Sequence, residues 1–154
     1  MALYYLTLQD VLNLSLKITK APQAFDALVL EEATFFQYAW GQSTDLAAQG
    51  ARFLTGFVKK APFPFGNEAI AFAGMLVFLE ANGKTLRLSD DEAAEWVGAF
   101  ISSGYSRSEL AERLADTEAN MEHGVPNLEE ISDSVLARYP TCLGRMLSAQ
   151  AANP

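Results

Sequence analysis

The sequence predicts an all-α domain built around one buried helix, and three observations carry that expectation. From Ala69 to Leu79 no polar side chain occurs. A surface helix shows a polar face over such a span, so a helix that is apolar all round is a buried one. It is too short to cross a bilayer, which needs roughly 20 apolar residues. Second, this run is sharply bounded. The loop Pro62-Phe63-Pro64-Phe65-Gly66 opens it, and Asn82-Gly83 closes it, with glycine where a left-handed residue ends a helix. Third, the flanking segments carry helical apolar spacing and side-chain caps. One short alternating stretch, Lys84 to Leu88, reads as a single small β-segment. At 154 residues the chain 1–154 is expected to form one domain with one core.

Taken in order, Leu3 to Leu6 is a short extended apolar entry. Thr7 is placed to cap a first helix, with Asp10 three residues on, and Val11, Leu12, Leu14, Leu16 and Ile18 give its apolar face to about Lys20. Ala21-Pro22 breaks it. Helical spacing resumes from Ala24 to about Trp40. Ser43 or Thr44 is expected to cap the next helix, whose buried side is marked by Ala47, Ala48, Ala51, Phe53, Leu54, Phe57 and Val58. Lys59 and Lys60 close that helix with the charge its dipole favours. Beyond the central helix, Ser89 caps a helix with Asp90, Asp91 and Glu92 in its first turn. Ser106 and Glu109 form a second capping box, opening a helix through Leu110, Ala111 and Leu114 toward Met121. Gly124-Val125-Pro126 breaks the chain, Asn127 caps a helix through Leu128, Ile131, Val135 and Leu136, and a last helical run is expected from Leu143 to about Ala149.

Composition narrows the function. Lys and Arg number 11 against 19 Asp and Glu, a net charge of −8. A field of that sign repels phosphate backbones, so nucleic acid is not an expected partner. Cys142 is the single cysteine and His123 the single histidine, which rules out an intrachain disulfide and a multi-histidine metal site. No basic segment precedes an apolar run at the N-terminus, and the expected compartment is the cytoplasm, with no membrane association.

The central stretch, Ala61-Pro62-Phe63-Pro64-Phe65-Gly66-Asn67-Glu68-Ala69-Ile70-Ala71 followed by Phe78-Leu79-Glu80-Ala81-Asn82-Gly83, resembles the motif of the Fic/Doc family, the death-on-curing toxins and Fic adenylyltransferases. That motif has the form His-Pro-Phe-x-[Asp/Asn]-Gly-Asn-Lys-Arg-Thr-Ala. Tyr5-Leu6-Thr7-Leu8-Gln9-Asp10-Val11-Leu12 is similar to the opening phrase of Doc-type members, with Ser15 where a histidine is common. The resemblance runs over 5–101 and leaves the helices of 104–154 as additions. It implies a Fic/Doc-like helical bundle. Pro62, Phe63, Gly66, Asn67 and Ala71 match as scaffold. Ala61 stands at the histidine position, Phe65 at the carboxylate or amide, and Glu68 and Ala69 at the lysine and arginine.

In active relatives of this kind the histidine serves as base toward a hydroxyl acceptor, the carboxylate helps hold Mg²⁺, and the cations meet the phosphates. Ala61 transfers no proton, and a general base typically contributes about 10²- to 10⁴-fold. Phe65 offers no metal ligand. Glu68 puts a carboxylate near the phosphate position, where two like charges at about 4 Å repel by about 4 kcal/mol at an effective dielectric of 20. The same carboxylate at a helix N-terminus is stabilising by about 0.3–1 kcal/mol. The expected reading is therefore a degenerate motif with no catalytic residue, no metal and no cofactor. Phe63, Gly66, Asn67 and Glu68 form the candidate binding loop, and Lys59 and Lys60 are candidates for an anion contact. The function expected is that of a non-catalytic protein-binding relative of toxin–antitoxin Doc proteins, with an antitoxin-like segment or other protein as partner. The alternative is an active transferase moving a phosphoryl or AMP group from a Mg-nucleotide to a protein hydroxyl, with Lys59, Lys60 or His123 recruited. Ser108 to Glu112 matches the spacing of an inhibitory Fic helix, but Arg113 follows where that motif has glycine or asparagine.

Overall fold

A computed structural model describes residues 3–39, 44–103, 107–117, 121–122 and 124–152. Among them lie eight helices and two short antiparallel strand pairs. The central helix is α4, Asn67–Ala81, and thirteen of its fifteen residues are buried, all except Glu68 and Glu80. The run from Ala69 to Leu79 is buried at every position, as a helix without a polar face requires. Against α4 pack α3 (Leu46–Lys60) most extensively, then α7 (Leu128–Arg138), α1 (Leu8–Thr19) and α8 (Pro140–Ala152). The remaining helices are α2 (Ala27–Phe35), which leans on α3, α5 (Asp90–Ser103), which packs on α8, and the short α6 (Arg107–Ala111), which also meets α3. Among the described residues no helix is long and apolar enough to cross a membrane.

Several starts follow the sequence closely. Thr7 and Asp10 form a reciprocal capping box on α1, Ser89 and Glu92 do the same before α5, and the Asn127 side chain accepts the Glu130 N–H at the start of α7. Gly83 takes φ +90° after α4, the left-handed geometry expected there.

Other expectations are corrected. The cap of α3 is neither Ser43, which lies outside the described residues, nor Thr44, but Asp45, whose carboxylate accepts the Ala48 N–H and also pairs with Arg107 at 2.7 Å. Helix α2 covers Ala27–Phe35 rather than Ala24 to Trp40, and Trp40 itself is outside the described residues. Asp26 starts it by accepting the Leu28 and Val29 N–H groups. It ends early because Gln37 leaves the helix to serve the N-terminal segment. The Gln37 carboxamide is fully buried, accepts the Leu6 N–H at 2.7 Å and donates to the Leu6 carbonyl at 2.8 Å, while Gln49 donates to its backbone carbonyl. These tertiary bonds outweigh two more helical residues.

The β-content is also larger than one segment. Strand β1, Lys84–Leu86, pairs antiparallel with β2, Leu114–Asp116, and β3 (Met121–Glu122) pairs with β4 (Val125–Pro126). Leu114 is therefore a strand residue opposite Leu86, not the continuation of α6, and Met121 is a strand residue as well. The capping box expected at Ser106 falls outside the described residues. Helix α8 begins at Pro140, three residues before the expected start. Proline is tolerated in the first turn, and the Asp90 carboxylate accepts the Thr141 and Cys142 N–H groups at 2.9 and 2.8 Å.

Candidate functional site: the loop between α3 and α4

The loop is made by two left-handed residues. Ala61 ends α3 at φ +47°, with its N–H on the Phe57 carbonyl, and Gly66 begins α4 at φ +81°. At Gly66 a Cβ would also come within 3.1 Å of the Thr19 Cγ2, so both geometry and space call for glycine. Asn67 is the first residue of α4 rather than its cap. Its buried carboxamide accepts the Phe63 N–H at 3.1 Å and donates to the Phe63 carbonyl at 2.7 Å. That reciprocal pair closes the loop as a backbone partner would, and it uses the amide for structure.

Phe63 is 4% exposed and joins an aromatic file from the core outward. Phe53 and Phe57 lie 5.4 Å apart, Phe57 and Phe63 6.4 Å, and Phe63 and Phe25 6.2 Å with their rings edge to face. Phe65 is half-buried, and its N–H donates to the Gln23 side chain at 3.0 Å. Gln23 in turn donates to the Ser15 hydroxyl at 3.0 Å. Ser15, at the position where the resemblance leads one to expect a histidine, is buried and ties α1 to the loop through Gln23. This relay had no signal in the sequence apart from Ser15 being polar on an apolar helical face.

The candidate residues are only partly brought together. Ala61 is exposed, Ala69 is buried in the first turns of α4, and Glu68 is half-buried beside it. Lys59 and Lys60 are exposed in the last turn of α3. The Lys60 ammonium pairs with Glu32 of α2 at 2.9 Å, so its nearest anion is within the chain. His123 lies outside the described residues. Among the described residues no group of three or more His, Cys, Asp and Glu could hold a metal ion.

Elsewhere the titratable groups are structural. Burial pushes the Cys142 thiol up to about 12, helped by the negative Asp90 beside it, so it stays protonated and unreactive at neutral pH. Burial likewise raises Tyr139, whose hydroxyl donates to the Leu88 carbonyl at 2.9 Å. For Asp90 and Asp45 desolvation works upward but is outweighed. The Cys142 and Thr141 N–H groups hold Asp90 below the ordinary carboxylate range, and Arg107 with the Ala48 N–H does the same for Asp45.

Beside the loop lies an open cleft of about 190 Å³ between α1 and the turn leading to α2, with Phe63 among the residues that line it. Comparisons with protein-family models, with curated proteins and with solved structures find no match to this chain.

Proposed function

We propose that the chain is a Fic/Doc-like domain whose motif has become a structural element, and that it acts by holding a protein partner rather than by transferring a phosphoryl or nucleotidyl group. The observation that carries the reading is the state of the loop between α3 and α4. Its scaffold residues are all in use: Gly66 turns the chain, Asn67 latches Phe63, and Phe63 anchors the loop to the core. Its chemical positions supply no histidine and no cation, and at the position of the metal-holding carboxylate or amide stands Phe65. Ala61 and Ala69 are methyl groups, Phe65 is an aromatic ring whose N–H is held by Gln23, and Glu68 adds a negative charge to the first turn of α4. Phosphate binding at a helix N-terminus draws on free N–H groups and on nearby cations. Of the two lysines that end α3, Lys60 is matched by Glu32.

A partner surface is available on α2. Leu28 and Phe35 are 64% and 52% exposed and fall two turns apart, with exposed Glu31 between them on the same face. An apolar stripe with an acidic centre on a chain of charge −8 fits a segment that carries a basic residue between its apolar side chains.

The transfer step is tested directly. Purified protein is incubated with Mg²⁺ and with ATP or GTP labelled at the α- or γ-phosphate, in a cell extract that supplies protein acceptors. The expected result is no label on any protein above a no-enzyme control. Label that depends on this chain would overturn the reading and restore the transferase.

A further inference from the structure

We propose that the cleft between α1 and the turn leading to α2 binds a small, uncharged molecule that joins an aromatic or branched apolar body to an amide group. The inference is independent of whether the neighbouring loop transfers a group. Its first support is size. The cleft holds about 190 Å³. An apolar cavity of about 150 Å³ is enough to take up benzene, so this one accommodates a ring with one small substituent.

The second support is the lining. Leu12, Leu16, Pro22, Phe25 and Phe63 supply apolar walls, and every other lining residue is polar but uncharged. A carboxylate or ammonium entering would give up part of its hydration and meet no counter-ion among the lining residues. Asp10 and Lys17, adjacent in sequence to Gln9 and Leu16, do not line it, and neither do Lys20 and Asp26.

The third support is the polar end. The Gln9 Nε2 donates to the Asn13 Oδ1 at 3.0 Å, one helical turn along α1. That leaves the Gln9 Oε1 as an acceptor and the Asn13 Nδ2 as a donor on two residues of the lining. An amide presents the complementary pair, one N–H and one carbonyl. By contrast, Ser15 and Gln23 are engaged with each other and with Phe65, and they serve to hold the wall. The turn is held too, because the Thr19 hydroxyl lies 2.8 Å from the Ser15 carbonyl and 3.0 Å from that of Ala21, within reach to donate to either. The cleft is thus preformed, as small-molecule sites usually are.

The test uses benzamide as the probe, with benzoate and benzylamine as charged counterparts of the same shape, titrated into isotope-labelled full-length protein and followed by NMR. The expected result is saturable shifts of the amides of Leu12, Leu16, Phe25 and Phe63, with a dissociation constant on the order of 1 mM for so small a ligand. Benzoate and benzylamine should bind at least about tenfold more weakly. Leu16→Glu should abolish benzamide binding, and Asn13→Ala should weaken it about two- to tenfold, the worth of one hydrogen bond. Both positions are exposed, and circular dichroism checks each variant. Should Leu16→Glu lose helix, Asn13→Ala carries the test alone. Absence of saturation by about 20 mM, shifts away from the cleft, equal binding of the charged counterparts, or unchanged binding in a folded variant would overturn the proposal.

Discussion

Asn67 occupies a position where the sequence suggests capping or a tolerated backbone geometry, yet its side chain does something else: it replaces a missing backbone partner for Phe63. Its removal should leave a buried N–H and carbonyl unpaired. Asn67→Ala is expected to cost about 1–3 kcal/mol, read from urea unfolding midpoints. A loss below about 0.5 kcal/mol would mean that water replaces the carboxamide. Gly66 and Ala61 make a contrasting pair. At Gly66 the backbone is left-handed and Thr19 is close, so Gly66→Ala should destabilise by about 1–2 kcal/mol or more. Ala61 is also left-handed but carries a Cβ. Ala61→Gly is therefore expected to be neutral or to stabilise by up to about 1 kcal/mol in the same unfolding measurement. The glycine was legible in the sequence because few other residues turn the chain that way. The alanine carried no such signal, since nothing in a sequence reveals that a residue is strained.

The elements show where sequence reasoning holds and where it stops. Caps that act within one turn, such as Thr7 with Asp10 and Ser89 with Glu92, are local, and their spacing announces them. The ends that were misplaced are set by side chains from elsewhere in the chain. Gln37 ends α2 by clamping Leu6, and Asp90 starts α8 from 51 residues away. The pairing of β1 with β2 is another such case, because Leu114 reads as helical until Leu86 is opposite it. The Asp90 contact makes a pH prediction. Its folded-state pKa is depressed, so its contribution is present above the unfolded value and is lost as pH falls through the folded one. Unfolding midpoints of the parent should fall below about pH 4, and Asp90→Asn should shrink that fall. An identical acid profile in the variant would show that other carboxylates, Asp45 among them, account for it. On α2, Leu28→Ser should change stability by less than about 0.5 kcal/mol, because the side chain is exposed. A larger loss would show that Leu28 belongs to the fold rather than to a surface open to partners.

Across the whole molecule, the buried α4 and its wrapping by α3, α7, α1 and α8 follow from one apolar run that could be read directly. The cleft between α1 and the following turn could not, because its walls come from three separate stretches and its shape depends on the Gln23 relay. The candidate site was legible as a list of substituted positions and not as a closed loop, since closure depends on Asn67 and Gln23 reaching backbone groups. The net charge of −8 and the Glu68 carboxylate both act against a bound nucleotide. Thermal unfolding of the purified chain with and without millimolar Mg-ATP or Mg-GTP tests this most directly. Ligand at 100 times its dissociation constant would add about 2.7 kcal/mol, raising the midpoint by roughly 5–11 °C. The account predicts no shift with either nucleotide. A shift of several degrees that requires Mg²⁺ would contradict it.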